Sequence, residues 1–462
     1  MFHREVYINR RQQLKTAVQS GVILILGNEE SSMNYKDNQY HFRQDSNFLY
    51  FTGLDRANLA LVIDIDNNKE TVFGDDGSID DIIWTGPLET LPSQAAKAGI
   101  NDTASYKSLA DVLAKAVSEK RRIHFTPPYR PENTQKISGF FNIPLSNVKE
   151  NASVTLIKAI VALRSIKSEE EVAEIEKAVS ITTEMHLTAM RNARPGMTEN
   201  ELAGQIHGLA LSKGGNIAFP IILTVNGQIL HNHSQGNVLK EGMMVLCDSG
   251  AENGMHYGGD MTRTFPVGKT FTSRQKDLYN IVLNAHNAAV EALRPGVFYK
   301  DVHLLACEKL AEGLSAVGLM KGNAKEAVAA GAHAMFFQCG LGHMLGLDTH
   351  DMEDLGEEYV GYTDTFKKSK EFGLKSLRLG RQLEAGFVLT VEPGIYIIPE
   401  LIDMWKAENK FTEFINYDVL ETYKDFGGIR IEEDFLITGT GKKLLGSPIA
   451  KTVEEVEAER QA

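Results

Sequence analysis

Five separated segments in the second half of this 462-residue chain concentrate acid and histidine in strand-like surroundings. Residues 244–250 (MVLCDSG) are an apolar run that delivers Asp248 where it meets a turn. Residues 257–266 (YGGDMTRTFP) place Asp260 at the start of a partner strand. Residues 339–351 (CGLGHMLGLDTHD) supply His343 and His350 among glycines, and 387–394 (FVLTVEPG) read as a buried strand ending in Glu392 and a Pro-Gly turn. The last segment, 428–437 (GIRIEEDFLI), carries Arg430, Glu432 and Glu433. A carboxylate at the end of an apolar strand is costly to bury without a cation or hydrogen-bond donors. Taken singly, each could be held by backbone amides or sit in a surface turn. Four such strands beside a glycine-rich histidine segment point instead to a metal centre. Oxygen donors with one imidazole favour hard divalent ions such as Mn²⁺ over a thiolate zinc site. Four carboxylates carry too much charge for one such ion and suit two.

The strand period of two sharpens the last segment. Arg430 and Glu432 share a face while Glu433 points the other way, so Glu432 is expected beside Arg430, which could orient a neighbouring carboxylate. His231 and His233 stand two apart in a loop, a spacing that more often joins unrelated side chains than a chelating pair. Cys247 and Cys339 flank the acidic segments and read as small buried apolar groups. The acidic stretch 75–81 lacks the downstream glutamate of a calcium loop and reads as solvated. There is no HExxH, Walker A loop or GxSxG elbow.

The elements that must position these residues are legible in outline. Residues 21–27 and 59–65 read as strands, 108–119 as a helix with Leu109, Val112, Leu113, Ala116 and Val117 on one face, and 122–126 as a strand stopped by Pro127-Pro128. The stretch 127–151 reads as irregular, with a domain boundary between 150 and 165. Ser168 and Glu171 form a capping box that opens a helix with Val172, Ile175 and Val179 at helical spacing, ending at Arg194-Pro195-Gly196. The pattern recurs a hundred residues on: Ser273 precedes a helix that ends at Arg294-Pro295-Gly296, and each breaker is followed by a further helix, at 199–211 and 300–314. Two such units imply a C-terminal domain of two related halves with a site between them.

Composition narrows the function. With 48 basic and 61 acidic residues the chain carries a formal charge of −13, which repels phosphate backbones and anionic lipid, so no nucleic-acid or membrane partner is expected. Three scattered cysteines give no disulfide framework and point to a reducing compartment, the cytoplasm. The N-terminal residues mix charges of both signs without an apolar core, so neither a signal peptide nor a membrane anchor is expected.

In this order, the five segments resemble the metal-binding set of the proline-peptidase family with the pita-bread fold, which includes prolidase and aminopeptidase P. The resemblance reaches the N-terminal part, where residues 42–53 (FRQDSNFLYFTG) look like that family's accessory domain. It implies an α/β protein with an accessory domain over 1–160 and a pseudo-symmetric catalytic domain over 161–462. Carried over by motif, the metal ligands would be Asp248, Asp260, His343, Glu392 and Glu432, holding two divalent ions, Mn²⁺ by resemblance. Asp260 and Glu432 would bridge the ions, Glu392 would pass a proton to the leaving nitrogen, and His231 and His350 would attend the substrate carbonyl. Asp248 and Asp260 are twelve apart, one more than the family's usual spacing, and the hairpin turn must absorb the extra residue. The run 373–381 (GLKSLRLGR) resembles the prolidase segment whose arginine, here Arg378, holds the substrate's C-terminal carboxylate. The implied activity is hydrolysis after the first residue of a small peptide with proline second. A dipeptidase is the first reading, an aminopeptidase acting on longer peptides the alternative, and a non-catalytic binding module a remoter one. The family habit also implies a homodimer.

Overall fold

The computed structural model describes residues 1–461 and divides into two units, Met1–Arg164 with Glu353–Tyr359, and Ser165–Met352 with the residues from Val360 onward. In the first unit the glycine-bracketed apolar run forms the strand Val22–Leu26, with every residue buried. It lies between antiparallel Ala60–Asp64 and parallel Ile123–His124. Lys69–Phe73 and Asp102–Ala104 complete a five-stranded sheet. Leu24, Val62 and Phe73 pack with Leu109, Leu113 and Ile137 into its core.

Two local expectations need correction. The helix Leu109–Ser118 buries Leu109, Leu113 and Ala116, but Val112 and Val117 are exposed. Positions i, i+4 and i+7 face the sheet, whereas i+3 and i+8 fall on opposite edges of that stripe. The stretch 127–151 also contains a helix, Pro131–Phe141. Proline opens it with its φ already set and no amide to lose, and Asn142 closes it in the left-handed region at φ 52°.

The second unit repeats one arrangement. Ser168 caps Glu169–Asn192 with the expected box to Glu171. In the other half the cap is Thr272, paired with Gln275, and Ser273 is the first helical residue. Each long helix is followed by a second one, Glu199–Ser212 or Tyr299–Ala316. The glycine between them takes a positive φ in both halves, 93° at Gly196 and 88° at Gly296. Gly196 donates its amide to the Leu239 carbonyl and Gly296 to that of Leu383. These acceptors stand five residues before the strands Met244–Ser249 and Val388–Val391. The halves therefore match in hydrogen bonding as well as in order.

Strand Met244–Ser249 pairs antiparallel with Ile222–Thr224 and Met261–Pro266, while Val388–Val391 pairs with Glu433–Ile437. Gly394–Tyr396 pairs with Gly428–Arg430. Single bridges from Thr262 to Glu432 and from Met344 to Leu389 join these pieces, so every segment singled out for its acids or histidine meets in one region. No helix among the described residues is long and apolar enough to cross a membrane.

Candidate active site

Strand register decides which carboxylates can meet. Thr262 lies directly opposite Asp248, and Asp260, two residues before Thr262, falls on the same face. In the connection between the strands His256 takes a positive φ of 66°. Gly250 permits the tight return: a Cβ there would come within 1.8 Å of the Gly259 carbonyl oxygen.

Opposite them, Glu392 leaves the end of Val388–Val391, and Glu432 sits in the break between Gly428–Arg430 and Glu433–Ile437. The alternation expected across this segment holds. Glu432 faces Thr262, whose hydroxyl donates to its Oε2 at 2.6 Å, while Glu433 turns away to Arg263 at 2.7 Å and Lys451 at 2.7 Å. Arg430 bonds the same Thr262 hydroxyl at 2.9 Å and the Tyr396 hydroxyl at 3.0 Å, and it is paired with Asp248 Oδ2. Its carboxylate partner is therefore Asp248, with Thr262 joining it to Glu432.

His343 completes the group. Its Nε2 lies 3.3 Å from Asp260 Oδ2 and 3.6 Å from Glu392 Oε1, and its Nδ1 is 3.0 Å from the Met344 carbonyl. Donor atoms of Asp260, His343 and Glu432 fall within 4.8 Å of one another. Gly342 lets the segment lie against the strand, since a Cβ there would meet the Thr390 carbonyl oxygen at 2.2 Å. The Thr390 hydroxyl accepts the His343 amide at 3.1 Å and reaches Glu392 at 3.4 Å.

The electrostatics are those of acids crowded together out of water. Burial, followed by the charge of Asp260, pushes the Glu432 carboxyl far above its ordinary range. Burial also raises Asp248 and Glu392, against the opposing pull of Arg430 on Asp248 and of His343 on Glu392. Burial works against the charged form of His343, but its hydrogen bond to Asp260 and the charge of Glu392 prevail and lift it to about 9. Asp248 Oδ1 and Asp260 Oδ1 are buried without a hydrogen-bond partner. Buried anionic oxygens left unpaired, together with one imidazole, form a donor set that suits hard divalent cations.

The remaining predicted residues lie around this group. The His350 ring centroid is 4.3 Å from that of His343. His231 is exposed, and partial burial, then the charges of Arg430 and Arg378, hold its pKa below the ordinary value. The positive charge of half-buried Arg378 acts on Glu392 as well. His233 is exposed like His231, and its charge acts on His231. Cys247 is fully buried and Cys339 half-buried.

Sequence reasoning missed several supports. Thr262 and Thr390 each stand two residues from a predicted carboxylate, and the strand period alone would have put them on its face. Asp434, whose Oδ2 accepts the Asp260 amide at 3.0 Å, was hidden in an acidic run. Lys167 lies 2.7 Å from Asp351 with both side chains buried, fastening the loop that carries His350. No local pattern signals a partner 184 residues away.

Residues 173–439 match the model of metallopeptidase family M24, and 7–124 match the aminopeptidase P N-terminal domain. The human Xaa-Pro dipeptidase is 33% identical over 97% of this chain and 90% of its own length. The Escherichia coli Xaa-Pro aminopeptidase is 30% identical over 98% of this chain and 97% of its own. The solved low-pH form of E. coli aminopeptidase P superposes with a TM-score of 0.81 at 29% identity, covering 100% of this chain and 99% of that one. Since the matched model spans more than half of the sequence and both relatives align almost end to end, the chain belongs to metallopeptidase family M24, with an aminopeptidase P-type N-terminal domain and a pita-bread catalytic domain.

Proposed function

We propose that this M24 metallopeptidase is an Xaa-Pro dipeptidase that uses two Mn²⁺ ions held by Asp248, Asp260, His343, Glu392 and Glu432. The observation that carries the reading is the buried group of facing carboxylates around one histidine, with two carboxylate oxygens left without partners. When bound, the ions supply Lewis acidity and a lowered pKa for water. Glu392, next to His343, takes the proton from the attacking water and returns it to the proline nitrogen as the peptide bond breaks. His231 and His350 donate hydrogen bonds to the carbonyl oxygen as it gains negative charge. Arg430 opposes the upward shift of the Asp248 carboxyl and orients it, and the Thr262 hydroxyl orients Glu432.

Arg378 supports the dipeptidase over the aminopeptidase. A guanidinium whose charge is felt at both His231 and Glu392 is suited to the free carboxylate of a two-residue substrate. Rates on an Xaa-Pro dipeptide and an Xaa-Pro-Xaa tripeptide, with and without Mn²⁺, test this. The dipeptide should be preferred, and Arg378→Ala should raise its KM roughly 10- to 100-fold with far less effect on the tripeptide. Preference for the tripeptide by the unaltered enzyme would establish the aminopeptidase reading, which the E. coli relative favours. The same proposal includes an accessory domain over 1–160, a catalytic domain over 161–462, a homodimer and a cytoplasmic location. Three free thiols support a reducing compartment, and light scattering of the purified protein tests the dimer.

A further inference from the structure

A second group of metal-binding side chains lies apart from the acidic centre and shares none of its residues. His303 and Cys307 stand four apart on the helix Tyr299–Ala316, hence on one face, with His303 Nε2 3.5 Å from the Cys307 sulfur. His333 comes from the short turn Ala332–Met335. One donor atom from each falls within 4.8 Å of the other two. The exposures of the three are 0%, 0% and 3%, so no solvent compensates their polar atoms.

Their hydrogen bonding is incomplete. His303 Nδ1 and both ring nitrogens of His333 are buried without a hydrogen bond, although the Val328 backbone draws on His333 from outside bonding geometry. A neutral imidazole carries one donor and one acceptor, and leaving them unmet in a dry interior is unfavourable. Two imidazole nitrogens and a thiol converging from separate elements are what a borderline-soft cation removes from that deficit. We infer that His303, Cys307 and His333 form a structural site for Zn²⁺, distinct from the hydrolytic metals.

The donor chemistry separates the two sites. The acidic centre offers four carboxylates and one imidazole, which favour hard ions, whereas a thiolate with two imidazoles favours zinc. The location gives zinc a structural role. His333 begins the stretch that leads through Phe337, packed 5.5 Å from the His303 ring, to His343. At the start of the same helix the Tyr299 hydroxyl donates to the Thr390 carbonyl. Zinc would fasten this helix to the segment that delivers His343.

The test uses the full-length enzyme, dialysed against Mn²⁺ and analysed for metal, then prepared with Co²⁺. One zinc ion per chain should survive dialysis. The cobalt form should show a sulfur-to-cobalt charge-transfer absorption in the near ultraviolet, which the thiol-free acidic set cannot supply. Cys307→Ser should lose both the absorption and the retained zinc, while Glu432→Gln keeps both. Cobalt-loaded enzyme without that absorption, or an absorption that survives Cys307→Ser, overturns the site. Should Cys307→Ser not fold, the metal content and spectrum of the unaltered protein still decide it, because a chain holding no retained zinc refutes the inference.

Discussion

In the N-terminal unit, Asp64 meets Arg121 through both of its carboxylate oxygens, and Asn67 adds further hydrogen bonds. Its pKa falls to about 2, with the Arg121 hydrogen bonds as the main cause. In the catalytic unit, Asp248, Glu392 and Glu432 face Asp260 and one another in a dry interior, and their carboxyls are driven upward. The same functional group thus stabilises one unit and strains the other. What differs is the ratio of cations to acids at each place: matched at Asp64, but four carboxylates against Arg430 and His343 at the centre. The contrast recurs between adjacent residues. Glu433, with Arg263 and Lys451, is pulled down to about 2 despite burial, while Glu432 is pushed far up. Buried acids left short of counter-charge, with a histidine among them, mark a place prepared for a ligand of opposite sign.

Removing one crowded acid should have the largest effect. Glu432→Gln is expected to lower kcat/KM by on the order of 10³-fold or more and to weaken Mn²⁺ binding measured by calorimetry. The metal-free variant should melt no lower than the metal-free parent, because a neutral amide of the same shape replaces a carboxyl that burial and neighbouring acids already disfavour in its charged form. Full activity in this variant would take Glu432 out of the metal set and blur the contrast with Glu433.

Thr262→Val tests the support for that acid. The substitution conserves volume but deletes the hydrogen bond to Glu432 and the contact with Arg430. Activity and Mn²⁺ affinity should fall about 10- to 100-fold, with the ligands themselves intact. An unchanged titration would show that the hydroxyl does not hold Glu432 in place.

Acidification separates the regions by sign. In the metal-free protein the raised carboxyls and His343, held near 9, all bind protons more readily folded than unfolded. Stability of the metal-free chain should therefore rise as pH falls from about 9 towards 6, while Mn²⁺ affinity falls because the bound ion must displace those protons. Asp64 runs the other way: its contribution is complete above 3.8 and is lost as pH falls through about 2. Melting curves of metal-free and Mn²⁺-loaded protein across this range check both directions, and parallel curves would remove the distinction.

The smallest effect belongs to the matched pair. Asp64→Asn should cost roughly 1–2 kcal/mol of stability, read from denaturant unfolding, and leave the activity of the folded enzyme unchanged.

Much of this was legible because local patterns carried it. The strand Val22–Leu26 is bounded by glycines, the Ser168 box opens its helix, and the alternation through Arg430, Glu432 and Glu433 sorts two neighbouring acids onto opposite faces. Elsewhere local pattern was insufficient. Val112 and Val117 belong to an apolar stripe wider than the surface available to cover it, and the Pro131–Phe141 helix is built from residues that also populate loops. Neither His303 nor His333 stood out, because the turn that carries His333 is 26 residues from Cys307 in sequence and adjacent only in space.

The order of residues along the chain was enough to specify the donor types, the strands that end in them and the two related halves, since periodicity and turn chemistry act over a few residues. Which acids would share one dry volume, with Asp248 on Arg430 and Glu433 on Arg263, was settled only when strands nearly two hundred positions apart came into register. Charge repulsion, desolvation and hydrogen bonding depend on distances across the folded interior, and no short stretch of sequence contains those distances.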